Sequence, residues 1–298
     1  MSSETISAAS AGTWQLGDLT VNRIGFGAMR LTGTAPFDHG TPSDRGRSIR
    51  VLRRAVELGV NHIDTAAFYF SALRSANELI NEALAPYPDD LVITTKVGPG
   101  RGPSGEWLDW ARPDQLRGQV EENLRQLGLD HLDVVNLRVH GFGSIGEHFG
   151  ALAELSGAGL IRHLGVSAVT LEQFVEAQAI APVVCVQNRY GVDWRRDGGD
   201  QILRACGEEG AAFVPYFAIA GVGREAGAGG TEPEGVLAVA QNRGATAAQV
   251  RLAWTLQLGA HVLAIPGTSN PEHLAENVAA GTLQLSPDEL ALLTSGAP

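Results

Sequence analysis

Short apolar runs of four to six residues recur along the chain, and each is separated from the next by a stretch whose apolar positions follow a helical period. A run of that length, apolar on both faces, suits a strand buried on both sides, and such strands alternate with helices in parallel sheets. The strand runs fall at 23–27, 61–64, 91–96, 132–137, 161–166, 183–187, 212–216 and 262–265. Helical patterns follow at 44–58, 73–85, 113–127, 145–156, 171–177, 201–209, a double segment over 232–258, and 271–279. Eight βα units in succession predict an α/β fold, the (β/α)8 TIM barrel. Ahead of the first strand, 13–16 and 19–21 flank Gly17-Asp18 and predict an N-terminal β-hairpin closing the bottom of the barrel. No Pro- or Ser-rich linker divides the chain, so a single domain is expected over 1–298. Residues 1–12 are expected to be a flexible N-terminus and the glycine-rich stretch 221–230 a mobile loop after the seventh strand.

Charge narrows the class of partner. The 298 residues carry 33 acidic and 22 basic groups, a formal charge of -11, which leaves no broad basic face for nucleic acid. No apolar run approaches the roughly 20 residues of a membrane span, and the start MSSETISAAS lacks the basic and apolar regions of a signal peptide, so a cytoplasmic protein is expected. Cys185 and Cys206 are too few for a disulfide framework and read as core residues. Eight histidines are scattered without metal-ligand spacing, and no metal is expected. The expected partner is a small molecule and the expected assembly a monomer or weak homo-oligomer.

Among the 22 basic residues there is one lysine, Lys96. Arginine can replace lysine on a surface where either serves, but not where a compact ammonium of adjustable pKa is needed. In a barrel of this kind chemistry sits at the C-terminal ends of the strands, and three predicted strands deliver Asp64, Lys96 and Arg138 there. Tyr69 follows Asp64 by five residues. An ammonium favours the phenolate, so Tyr69 beside Lys96 is expected to exchange a proton near neutral pH, with Asp64 keeping Lys96 charged and oriented.

The segments GVNHIDTAAFYFSALRSANELINEAL at 59–84, ITTK at 93–96, LGLDHLDVVNL at 127–137 and IPGTSNPEHLAEN at 265–277 together resemble the aldo-keto reductases, and the resemblance runs from about residue 23 to about residue 280. It implies an NADPH-dependent oxidoreductase reducing an aldehyde or ketone, with Tyr69 as proton donor and Asp64 and Lys96 tuning it. The family's usual histidine at the end of the next strand is absent: Arg138 holds that position, and His140 lies two residues on, on the same face if the strand continues. Either Arg138 polarises the carbonyl or His140 reaches back. The arginine, with VVNLR, VCVQN and IPGTS, resembles the pyridoxal-reductase branch, which implies pyridoxal and pyridoxine as substrate and product.

The resemblance also implies nicotinamide contacts at Ser167, Gln187 and Tyr216. An asparagine usually follows that serine, whereas here Ala168 does, so one partner of the carboxamide is either missing or supplied by another group such as Asn188. The loop Gly267, Thr268, Ser269 and Asn270, opening a helix at Pro271, offers free N–H groups to the adenosine 2′-phosphate. His273, Glu276 and Asn277 match family positions for phosphate and adenine. His273 stands where the family often has arginine, which weakens the preference for NADP over NAD. No glycine fingerprint of a dinucleotide fold is present. Trp107 and Trp110, with Phe68, Phe70, Phe142 and Trp194, form an aromatic wall for a planar substrate or else pack their own loop. A redox-sensing subunit with little turnover is the alternative to an enzyme, and a Schiff-base enzyme using Lys96 a third reading.

Overall fold

A computed structural model describes residues 6–33, 41–194, 198–219 and 232–295; the stretch 221–230 lies outside them. Its strands are β1 (Thr13–Leu16), β2 (Leu19–Asn22), β3 (Phe26–Gly27), β4 (His62–Asp64), β5 (Phe70–Ser71), β6 (Arg74–Ser75), β7 (Val92–Val97), β8 (Leu132–Arg138), β9 (Ile161–Ser167), β10 (Val183–Gln187) and β11 (Ala212–Phe213). Its helices are α1 (Arg45–Glu57), α2 (Ala76–Leu84), α3 (Leu116–Leu127), α4 (Gly146–Gly157), α5 (Leu171–Gln178), α6 (Gly199–Glu208), α7 (Glu234–Arg243), α8 (Ala247–Gln257), α9 (Pro271–Ala279) and α10 (Pro287–Ser295).

Seven strands form one sheet in the order β11-β10-β9-β8-β7-β4-β3, and every pair in it is parallel. Residues 262–264 close the circle. Phe213 bridges Val262 on one side and Ile24 bridges Ala264 on the other, with Leu263 N–H donating to the Phe213 carbonyl and Ala264 N–H to that of Arg23 at 2.9 and 2.8 Å. The protein is therefore a (β/α)8 barrel. The seventh stave is interrupted at Pro215, which carries no N–H for the ladder, and resumes at Tyr216, which bridges Arg189.

The hairpin β1–β2 plugs the bottom. Leu16 and Val21 are fully buried against Val92, Val134 and Leu263, which point into the barrel. Its turn needs a glycine: Gly17 has φ +65°, and a Cβ there would lie 2.3 Å from the His163 ring. Asp18 accepts from Arg162 at 2.7 Å and pairs with His163 at 2.6 Å, tying the turn to β9. Ahead of it, the expected free N-terminus is packed from residue 8 on. Residues Ala8–Ala11 form a 3-10 turn, Ala8 and Ala11 are buried, and Ala8 N–H donates to the Leu58 carbonyl.

Helix ends follow local chemistry. Thr170 and Thr246 close capping boxes on α5 and α8, and Asn270 caps α9 with Pro271 at its first position. Helix α2 starts three residues later than its apolar pattern, because Ser75 caps it and residues 70–75 form the β5–β6 hairpin. Gly244, in the left-handed region, splits 232–258 into α7 and α8. Helix α10 had no counterpart in the sequence reading, although Ser286 and Glu289 exchange hydrogen bonds at its start. No helix among the described residues is long and apolar enough to cross a membrane.

Candidate active site

The three charged residues at predicted strand ends meet at the C-terminal mouth of the barrel. Asp64 ends β4 and Lys96 is the last inward residue of β7; both are buried, and Lys96 Nζ donates to Asp64 Oδ1 at 2.6 Å and to the Thr65 carbonyl at 3.1 Å. The second carboxylate oxygen of Asp64 accepts from Gln187 Nε2, at the end of β10, at 2.7 Å. Tyr69 reaches the same point from the loop after β4, with Lys96 Nζ 5.0 Å from its ring centroid. The loop is tight: Tyr69 N–H donates to the Ala66 carbonyl, and its own carbonyl accepts from Ala76.

Electrostatics differ from the sequence expectation at Tyr69. Burial raises the phenol's pKa, and this outweighs the opposing pull of the Lys96 ammonium and of Arg138. The tyrosine is thus held protonated at neutral pH rather than poised to ionise. For Lys96 burial acts against the charge, but Asp64, together with the Tyr69 phenolate when it forms, outweighs it and holds the ammonium above its ordinary value. Below this layer His62 bonds Thr94 at 3.1 Å, and burial pushes its imidazole down to about 4.

Arg138 ends β8 opposite Ser167. Its guanidinium lies 5.7 Å from the Tyr216 ring centroid and also donates to the Val139 carbonyl at 3.2 Å. The backbone is held from behind: Trp110 donates to the Arg138 carbonyl at 3.0 Å and stacks on His148 at 3.8 Å. The β8 ladder runs one residue further, through Val139 N–H to the Ser167 carbonyl, and His140 emerges exposed at the rim.

A cavity of about 1100 Å³ covers this mouth. It is bordered by ten of the residues selected from sequence: Asp64, Tyr69, Lys96, Arg138, His140, Ser167, Gln187, Tyr216, Gly267 and His273. Thr268, Ser269, Glu276 and Asn277 do not border it. Thr268 Oγ1 accepts from Asn270 N–H at 3.0 Å, Glu276 is exposed and Asn277 is buried on α9. Phe68, Trp107, Trp110 and Phe142 line the cavity, whereas Phe70 borders a second one and Trp194 neither. Met29 and Arg30, in the turn after β3, also border it. The sequence reading missed them, although the loop after the first strand opens on the same face as the rest.

Several groups fit a nicotinamide dinucleotide. Ser167 Oγ is buried at the cavity wall without a protein partner among the described residues. In the loop before α9, the N–H groups of Gly267, Thr268 and Ser269 donate to no described protein group. Ala168 has φ +58°, in the left-handed region. Asn188 is already committed, bonding the Val169 backbone through both ends of its amide at 3.0 and 2.8 Å. No group of three His, Cys, Asp or Glu among the described residues is placed to hold a metal.

Residues 23–297 match the aldo/keto reductase family, and the chain belongs to it. It is 46% identical over 291 residues to pyridoxine 4-dehydrogenase of Escherichia coli K12, across 95% of this chain and 98% of that protein. A thermostable aldo-keto reductase solved with the inhibitor epalrestat superposes with a TM-score of 0.79 at 30% identity, covering 95% of this chain and 98% of its own. An aldo-keto reductase from Klebsiella pneumoniae solved with NADPH gives 0.76 at 26% identity, covering 94% and 93%. The chain is an oxidoreductase of carbonyl groups.

Proposed function

We propose that this chain uses NADPH to reduce the aldehyde of pyridoxal to the alcohol pyridoxine. The observation that carries the reading is Arg138, whose guanidinium stands over the Tyr216 ring and beside Tyr69, where its charge acts on the phenol. Pyridoxal carries a ring hydroxyl ortho to its aldehyde. A guanidinium, planar and always charged, can donate to both oxygens at once, which a single imidazole N–H cannot. The 46% identity to a pyridoxine 4-dehydrogenase supports the same substrate pair.

When bound, NADPH supplies a hydride to the carbonyl carbon. Tyr69, kept protonated by burial, gives its proton to the carbonyl oxygen as negative charge develops there. The Lys96 ammonium stabilises the phenolate left behind, and Asp64 fixes that ammonium through the 2.6 Å pair. Ser167 and Gln187 would hold the nicotinamide amide, Tyr216 would offer its face to the ring, and the loop at Gly267–Ser269 with His273 would hold the 2′-phosphate. Glu276 and Asn277, further along α9, would be its adenine contacts.

The test follows NADPH oxidation with pyridoxal and with a nitrobenzaldehyde, in the parent and in Arg138→His. Turnover of pyridoxal above the benzaldehyde, with the gap narrowed by Arg138→His, is expected. Equal turnover of both by the parent would overturn the substrate assignment. Silence on both with NADPH bound would overturn the reductase reading in favour of a sensor.

A further inference from the structure

Arg101 belongs to no strand and matches no motif, yet it is a buried cation, 9% exposed, in the loop after β7. Its Nε donates to the Gly105 carbonyl at 3.0 Å, closing a turn in which Arg101 also bridges Trp107. One local bond of this kind is what a loop arginine needs. Two further contacts are not local. Nη1 donates to the Phe70 carbonyl at 2.9 Å and to the Phe68 carbonyl at 3.3 Å, more than thirty residues upstream. Those two carbonyls flank Tyr69.

The aromatic contacts join the same elements. The guanidinium carbon lies 4.5 Å from the Phe70 ring centroid and 5.7 Å from that of Trp107. Phe68 stands edge-on to both Tyr69 and Trp107, at 5.1 and 5.9 Å. Trp107 is the half-exposed wall of the main cavity. Arg101 itself borders a second cavity of about 820 Å³, behind the Tyr69 loop, and Phe68 and Lys96 border both. It thus stands on the far side of the wall from the substrate, and touches the chemistry through the backbone of residues 68–70.

We infer that Arg101 is a positioning residue of the reaction: its guanidinium fixes the backbone on both sides of Tyr69 and couples the phenol to the Trp107 wall. The inference rests on the reading of Tyr69 as proton donor. A planar fork with several fixed donors can hold two carbonyls and a ring face together, whereas a lysine ammonium lacks the plane. A phenol whose loop drifts by about 1 Å loses up to roughly a hundredfold in rate without losing the cofactor.

The experiment uses the full chain with NADPH and pyridoxal, and compares the parent, Tyr69→Phe, Arg101→Lys and Arg101→Ala. For Arg101→Ala, kcat is expected to fall about 10- to 100-fold with the NADPH dissociation constant unchanged, and Arg101→Lys to fall between it and the parent. Because the second cavity opens on the vacated position, millimolar methylguanidinium should restore kcat to Arg101→Ala, and methylammonium should not. Recovery specific to guanidinium is a response that a general loss of fold does not give. A kcat for Arg101→Ala within twofold of the parent, or a loss that methylguanidinium leaves unrestored, overturns the inference. Tyr69→Phe at the parent rate would instead overturn the proton-donor reading beneath it.

Discussion

Ala168 joins backbone strain to cofactor affinity. It follows the buried Ser167, its φ is +58°, and its N–H donates to the Gln187 carbonyl at 3.0 Å, so the conformation is fixed from both sides of the chain. A residue with a Cβ in the left-handed region sits about 1–2 kcal/mol above its preferred state. Asparagine tolerates that region far better than alanine, because its short polar side chain bonds locally. Ala168→Asn is therefore expected to stabilise the protein without cofactor by about 0.5–1 kcal/mol. For a chain of this size that raises Tm by roughly 1–3 °C. The new amide also faces the cavity beside Ser167 Oγ, which lacks a protein partner among the described residues. One net hydrogen bond to the nicotinamide amide adds about 0.5–1.5 kcal/mol, a two- to tenfold tighter NADPH dissociation constant. Ala168→Gly separates the two effects. It relieves the whole strain of about 1–2 kcal/mol but loses about 0.5–1 kcal/mol to the freer unfolded chain, so its stability should rise about as much as that of Ala168→Asn while its affinity stays near the parent's. Thermal unfolding without NADPH and titration of protein fluorescence with NADPH measure both. An unchanged or lower Tm for Ala168→Asn refutes the strain argument, and an unchanged dissociation constant refutes the placement of the nicotinamide amide at Ser167.

Three further outcomes are expected. Lys96→Arg keeps the charge but puts a wider guanidinium into a site closed by Asp64, the Thr65 carbonyl and the Tyr69 ring; overpacking of about 1–3 kcal/mol and loss of most turnover should follow, and a near-parental kcat would remove Lys96 from the reaction. His62 is neutral when folded, because burial pushes it from 6.5 down to about 4. Between those values the unfolded chain binds a proton that the folded chain refuses, so stability falls as pH drops from 6.5 toward 4, by about 3 kcal/mol in all. Urea titrations across that range should show the slope in the parent and a flatter profile in His62→Gln, and equal slopes would refute it. His273→Arg should lower KM for NADPH about fivefold at low salt and leave NADH unchanged, since the added charge meets only the 2′-phosphate; an equal effect on both cofactors would place the residue elsewhere.

Periodicity made the eight βα units legible, and capping chemistry set the start of α9 to the residue, because both are written in neighbours along the chain. The lone Lys96 and the Asp64–Tyr69 spacing located the mouth of the barrel for the same reason. Direction of titration at Tyr69 was not legible: it depends on how completely the barrel mouth dehydrates the phenol, which no spacing records. Arg101 was invisible because its partners at Phe68 and Phe70 come from the preceding βα loop. The start of α2 was misread since Leu73 continues the apolar pattern while sitting 69% exposed at the β5–β6 tip. For α10 the signal is local, in Ser286-Pro287-Asp288-Glu289, a cap followed by proline and acidic residues.

Polarity along the barrel axis sets the surroundings of the buried Asp64–Lys96 pair. At the bottom Leu16, Val21, Val92, Val134 and Leu263 make a dry floor. One layer up, polar side chains pair with each other: His62 meets Thr94, and Cys185 donates to Asn136 Oδ1 at 3.1 Å. That pairing exists because residue 165 is glycine, where a Cβ would lie 2.0 Å from the Asn136 oxygen. At the mouth the Asp64–Lys96 pair carries further bonds from Gln187 and to the Thr65 carbonyl, as a buried ion pair requires. An apolar residue at Gln187 would leave one carboxylate oxygen of Asp64 bare, so the amide belongs to the acid–base cluster as much as to the cofactor site. Ser167, at the same level, borders the cavity, and its buried Oγ has no protein partner among the described residues. An unmade bond beside a satisfied ion pair is where a ligand gains the most from binding.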